Sequence, residues 1–338
     1  MKRKKPLVTL RDVAEATGVN VSTVSRVLQN KGRVSQKTRT HILETAERLG
    51  YHGNPVARAL KTAKSSTLLM VVPQIENPIF ASAIVGAEIE ARENGFALLV
   101  SYDKGDGREI ITDISRSSII EGVIIASFDE DDRLRQMLNS TGLPHVILNR
   151  HLAGDRNCVA IDTREAARIG VEHLIAMGHR RIGHLAGRLG RFNGDMRRQG
   201  WQQALEAAGL DHGEEFVAQA GYDPAAVPAA VDKLLACSVT AIHAATLLTA
   251  AAAIARLHEL KLRVPEDVSV VTMHDDLLAR VVYPQVTTVA LPSQEMGRAA
   301  ASRLIDLIQG TAPDEGSALE SLLLPPGDLI VRASVASI

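Results

Sequence analysis

Val19-Asn20-Val21-Ser22-Thr23-Val24-Ser25-Arg26-Val27-Leu28 reads as a short helix entered from a tight turn at Gly18. Val24, Val27 and Leu28 recur at i, i+3, i+4, so one face can pack on a core. Ser22, Ser25, Arg26 and Gln29 fall mostly off that face. Small hydroxyls beside one arginine let a helix approach a duplex closely and reach a guanine edge.

The flanking residues support that helix. Thr9-Leu10-Arg11-Asp12 has capping-box form, with Thr9 as N-cap and Asp12 three residues on. Leu10, Val13, Ala14 and Thr17 then give one helical face, and Gly18 stops the helix. Ser35 caps a third helix, whose stripe of Ile42, Leu43, Ala46 and Leu49 ends at Gly50. Three short helices with a glycine turn between the first two form a helix-turn-helix pattern. In the segment that follows, Asn54 suits an N-cap and Pro55 the first helical position. A helix of about two turns is too short to stand alone, which suits an element that orders on docking. Leu60 has little core to join there. It is either a minor-groove wedge or a plain linker residue.

Charge divides the chain in the same place. Residues 1–64 hold 14 Lys and Arg against 4 Asp and Glu, a net +10, and the rest carries −11, although the whole chain is only −1. A basic head on an acidic body points to a polyanion at the head; charge alone fits a solvated basic face equally well. The 338 residues allow two or three domains, and 3% aromatics imply an aliphatic core. No apolar run approaches membrane length, and no apolar stretch follows Met1-Lys2-Arg3-Lys4-Lys5, so a cytoplasmic protein without membrane contact is expected. Cys158 and Cys237 have no metal or redox spacing.

Beyond residue 65, short apolar runs alternate with helical patterns. Strands are expected at 68–72, 97–100, 123–126, 145–148, 181–186, 240–244 and 268–271, with helices at 78–94, 163–177, 196–208, 246–260 and 293–309. Such alternation, with near-continuous aliphatic strands, predicts parallel sheets covered on both faces. Ligands of open sheets bind beyond the carboxyl ends of the strands. At one such end lies Arg188-Leu189-Gly190-Arg191-Phe192-Asn193-Gly194-Asp195-Met196-Arg197. Arginine forks and helix N-terminal amides there suit an anion or a polyol. No phosphate loop, nucleophile elbow or paired metal spacing occurs, so no enzyme, cofactor or metal site is expected. His179 and His184 read as structural.

The stretches Leu10–Ala14, Val24–Gln29, Leu49-Gly50-Tyr51 and Asn54–Leu60 resemble the lactose-repressor (LacI) family of transcription factors. So do Glu76–Phe80, Gly178–Ile182, Val264–Val271, Pro284–Val289 and Leu329–Ser334. The resemblance implies an N-terminal all-α helix-turn-helix head on an α/β, two-lobed sensor like a periplasmic binding protein. It implies residues 1–53 for the head, 54–64 for a hinge and 65–338 for the sensor. Lobe one takes about 66–162 and 292–323, and lobe two about 163–291 and 324–338. It assigns base reading to Val21, Ser22 and Arg26, and operator-centre contacts to Asn54 and Leu60. Spacing alone would let Val21 join the core with Val24 and Leu28. No tail follows Leu329–Ser334, so a homodimer on pseudo-palindromic double-stranded operator DNA is expected, with repression the commoner outcome.

The same resemblance puts effector contacts at Phe80, Asn149, Arg191, Asn193, Arg197 and Tyr222. Two departures stand out. The family commonly has Gly-aromatic-Asp-Asp where Thr272-Met273-His274-Asp275 stands, so His274 replaces a pocket carboxylate. It also carries Asn-Asp where Ala245-Thr246 stands. Arg197 with His274 as a possible cationic partner predicts an acidic effector, such as a sugar acid or a phosphorylated sugar. The competing function is a solute-binding protein of a sugar transporter, which the basic head and the lack of a secretion signal disfavour.

Overall fold

The computed structural model describes residues 8–28, 34–51, 65–103, 112–113, 119–126, 132–150, 157–311 and 321–338. The chain separates into two units, Met1–Ser66 and Thr67–Ile338.

The first unit contains α1 (Leu10–Thr17), α2 (Val21–Leu28) and α3 (Gln36–Leu49). The capping box forms: the Thr9 N–H donates to the Asp12 carboxylate at 2.6 Å, and the Asp12 N–H donates to the Thr9 hydroxyl at 3.4 Å. Gly18 takes φ +65, a left-handed conformation that ends α1 and turns the chain into α2. Val13, Ala14, Val24, Val27, Ile42 and Ala46 make the core.

Two expectations fail here. Leu43 is 45% exposed. It lies one residue, about 100°, round α3 from Ile42, and the buried Thr45 completes the stripe instead. Ser25 is buried rather than on the outer face, because its small side chain fits within the three-helix packing.

The second unit has two six-stranded sheets. The first comprises β1 (Thr67–Val72), β2 (Ala97–Tyr102), β3 (Gly122–Ile125), β4 (His145–Leu148), β5 (Cys158–Ile161) and β11 (Leu322–Leu324). The second comprises β6 (Ile182–Ala186), β7 (Val217–Gln219), β8 (Ala241–Ala244), β9 (Ser269–Met273), β10 (Thr287–Val289) and β12 (Leu329–Ile330). Their strand orders are β11-β5-β4-β3-β1-β2 and β12-β10-β9-β8-β6-β7. Among the described residues, only β10 and β12 pair antiparallel; the other pairs are parallel.

The helices that cover the sheets are α4 (Pro78–Glu93), α5 (Asp132–Thr141), α6 (Thr163–Ala176), α7 (Phe192–Ala207), α8 (Val227–Ala236), α9 (Leu247–Glu259), α10 (Leu277–Val281) and α11 (Ser293–Gln309). The chain passes between the sheets after β5, β10 and β11. Leu324 pairs with Ile161, so the last passage follows Leu324 rather than Leu323. Helix α7 begins at Phe192, four residues before the expected Met196, which puts Asn193 and Arg197 one turn apart on one face.

Each sheet has its own aliphatic core, as parallel strands covered by helices require. Helices α4 and α11 pack closely: a Cβ at Gly86 would lie 1.9 Å from the Gln294 carbonyl, and one at Gly297 1.9 Å from that of Ala83. The buried His179 ring bonds to the Thr240 and Ser269 hydroxyls and the Ala336 carbonyl, tying the C-terminal segment to the second sheet. That is the structural role expected of it. Strand β2 departs from the two-face pattern, for Leu99, Val100 and Tyr102 are exposed on this edge strand.

Candidate functional site

In the first unit, Val21, Ser22 and Arg26 are all exposed along α2. At 100° per residue they fall within an arc of about 140°, one face of the helix. Val21 is 41% exposed and outside the core, which resolves the ambiguity left by its spacing. Asn54 and Leu60 lie outside the described residues.

The second unit contains a cleft of about 820 Å³, within the usual range for small-molecule sites. Its walls come from segments at the carboxyl ends of strands in both sheets. Phe80, Asn149, Arg191, Asn193, Arg197, Tyr222 and His274 all line it. Among the described residues, Arg150 and Arg188 join Arg191 and Arg197 in the wall, against one acidic residue, Asp223.

Arg197 projects from the second turn of α7 and is only 4% exposed. Its Nε donates to the Met273 sulfur at 3.3 Å and its Nη1 to the Tyr222 hydroxyl at 3.2 Å. The guanidinium also lies 5.9 Å from the Tyr222 ring centre. Three nearby carboxylates serve elsewhere. Asp195 accepts the Gly190 N–H, Asp223 accepts the Ala225 N–H, and Asp275 binds Arg332 and Arg280. Among the described residues, no carboxylate pairs with Arg197. A buried cation held only by neutral partners is poised for an anion.

Asn149 ends β4 with φ +61 and is buried. Its backbone carbonyl accepts a 2.7 Å bond from Asn193 Nδ2, across the cleft from one sheet's segment to the other's. Its own Oδ1 is buried without a partner among the described residues. Phe80 packs in the core of the first sheet while facing the cleft. The missing Cβ of Gly187 admits Tyr222, whose ring would lie 2.7 Å from a Cβ there.

His274 corrects an expectation. Burial is the largest influence on its imidazole and holds the pKa below the ordinary histidine value; Asp276 and Asp275 oppose this, and Arg197 adds to it. This disfavours a charged ring in the free cleft, and among the described residues Arg197 is the buried arginine of its wall. The departure at Thr246 also has a physical role: its hydroxyl accepts the Thr249 N–H at 3.2 Å and caps α9. Met273 was not anticipated. It stands in place of the usual aromatic, one residue before His274, and that substitution was its signal.

A helix-turn-helix unit beside a separate two-sheet unit with a ligand-sized cleft defines a ligand-responsive DNA-binding regulator. The description "Bacterial regulatory proteins, lacI family" matches residues 9–54, and "Periplasmic binding protein-like domain" matches residues 171–335. The chain is 34% identical to the HTH-type transcriptional regulator CelR of Thermobifida fusca, over 91% of this chain and 94% of that one. It is 30% identical to the HTH-type transcriptional repressor CytR of Escherichia coli K12, over 100% of this chain and 99% of that one. Among solved structures, a CelR–cellobiose complex has TM-score 0.74 at 31% identity, covering 98% of this chain and 100% of that one. The lac repressor dimer bound to operator and the anti-inducer ONPF has TM-score 0.83 at 26% identity, with the same coverage. The chain belongs to the LacI family; it is a helix-turn-helix transcriptional regulator and not an enzyme. No helix among the described residues is long and apolar enough to cross a membrane.

Proposed function

We propose that this regulator acts in the cytoplasm as a homodimeric repressor, switched by a small acidic, carbohydrate-related effector. Val21, Ser22 and Arg26 read bases in the major groove, and Asn54 and Leu60 belong to a hinge that engages the operator centre. Two-fold pairing of heads requires a pseudo-palindromic operator. Apolar side chains exposed in the second unit, Leu277, Val281 and Tyr283 near α10 and Leu99, Val100 and Tyr102 on β2, offer a second copy two contact faces. The effector alters DNA affinity only through unequal affinity for two arrangements of the lobes.

One observation carries the effector class: Arg197 is buried and has no carboxylate partner among the described residues. A carboxylate or phosphate supplies the missing counter-charge, whereas a neutral sugar leaves the cation unpaired. Asp275 does not substitute, because Arg332, Arg280 and Thr288 hold it. Titration calorimetry with D-gluconate, D-glucuronate, glucose 6-phosphate, glucose and cellobiose tests this. At least one acidic ligand binds more tightly than its neutral counterpart, and Arg197→Met removes that preference. Tight binding of a neutral sugar, unaffected by His274→Ala, contradicts the reading.

A further inference from the structure

His274 directly follows β9 with φ +75, a conformation few side-chain-bearing residues adopt. Its backbone N–H is committed to the Val289 carbonyl at 2.8 Å. The imidazole lines the cleft and has no hydrogen-bond partner among the described residues. The preceding residue, Met273, supplies the sulfur that receives Arg197 Nε, and His274 and Arg197 line the same cleft.

We infer that the cleft takes up its anionic effector together with a proton, which His274 captures, so that the regulator responds to effector more strongly as the medium becomes more acid. This rests on the acidic-effector reading above. The charged groups acting on His274 are Asp276 and Asp275 on its own segment and Arg197 from α7. On α6 and β10, Ala166, Ala167 and Val289 pack with the neighbouring Met273 in one apolar cluster. In the free cleft, burial foremost keeps the ring neutral, with Arg197 also opposing a second positive charge. A carboxylate on Arg197 cancels that opposition and adds its own attraction for an imidazolium. The balance is simple: neutral imidazole, a solvent proton and the anion give an imidazolium–anion pair with no net change of charge.

The sign follows from linkage. Binding raises the histidine's pKa, so affinity increases as pH falls through the bound-state value and levels off below the free-state value. Between the two, the gain is at most about tenfold per pH unit. An Asp in this place would already be ionised and would repel the anion, which makes His274 the residue that admits an acid.

The test is calorimetric titration of the full chain with D-gluconate and D-glucuronate from about pH 6 to about pH 8, in two buffers of unlike ionisation enthalpy. These carboxylates do not titrate in that range, so proton uptake belongs to the protein. The expected result is uptake of a large fraction of one proton per subunit for the acid that binds, lost in His274→Gln, whose affinity stays flat with pH. The His274 Cε1–H resonance, followed in the unsubstituted protein, titrates at higher pH with the acid bound, independently of any variant. Binding without proton uptake, or equal uptake by His274→Gln, overturns this inference alone. If neither acid binds, this inference falls; if glucose 6-phosphate fails to bind as well, the acidic-effector reading falls with it.

Discussion

Arg197 donates its Nε to the thioether of Met273 at 3.3 Å, a weak and uncharged acceptor beneath a buried guanidinium. The free protein thereby bears the cost of an uncompensated charge that a ligand can relieve. Arg197→Met is expected to stabilise the free protein by about 1–2 kcal/mol while abolishing acid binding. Urea unfolding beside calorimetry checks both halves, and a variant that loses stability together with binding contradicts this account of the site.

Arg26 is expected to carry base discrimination. Arg26→Ala should cost about 1–3 kcal/mol at one base pair and relax the choice there. Fluorescence anisotropy on a set of single-base operator variants measures this. A uniform loss across all variants would reassign Arg26 to the phosphate backbone.

Asp275 and Arg332 form a partly buried ion pair that Arg280 and Thr288 extend. Burial works against the Asp275 carboxylate, but the bonds from Arg332, Arg280 and Thr288 outweigh it and hold the pKa below its ordinary value. Its stabilising contribution is therefore complete above the unfolded value and lost as pH falls through the folded one, below about pH 4. Arg332→Met removes the partner that binds the carboxylate from the C-terminal segment but leaves Arg280 and Thr288, at an expected cost of about 1–3 kcal/mol. Denaturant titration near neutral pH tests that magnitude.

His184 and His243 sit inside the second sheet with their Nδ1 atoms 3.0 Å apart and rings stacked at 5.0 Å. Burial foremost lowers both, His184 to about 3 and His243 well below the ordinary value. Folded depression of a histidine means stability is complete above the unfolded value near 6.5 and declines as pH falls below it. The expected slope is about 1.4 kcal/mol per pH unit for each histidine. Unfolding between about pH 5 and about pH 7.5 should show it, and His184→Asn should reduce the slope.

The sequence reveals the elements that carry long periodic signals and misses those that do not. Helices α4 and α11 and strands β1 and β6 were legible from apolar runs and spacing. Strands β7 and β12, of three and two residues, are too short to show a period. The start of α7 was missed because Asn193, Gly194 and Asp195 read as loop, although they form its first turn. The cleft residues were legible only through family likeness, since Phe80, Asn149, Tyr222 and His274 share no local pattern. What no sequence pattern conveyed was charge state. The neutrality of His274 depends on burial by residues distant in the chain, and the isolation of Arg197 depends on where Asp195, Asp223 and Asp275 spend their bonds.

The most direct measurement begins with duplexes selected from a random pool by the full chain. Affinity for the selected site is then titrated with D-gluconate, D-glucuronate, glucose 6-phosphate and the neutral sugars. The account predicts a two-fold symmetric site, with an affinity that at least one acidic ligand shifts tenfold or more and that no ligand shifts in Arg197→Met. A site without two-fold symmetry, or a switch thrown by a neutral sugar and indifferent to Arg197, would contradict it.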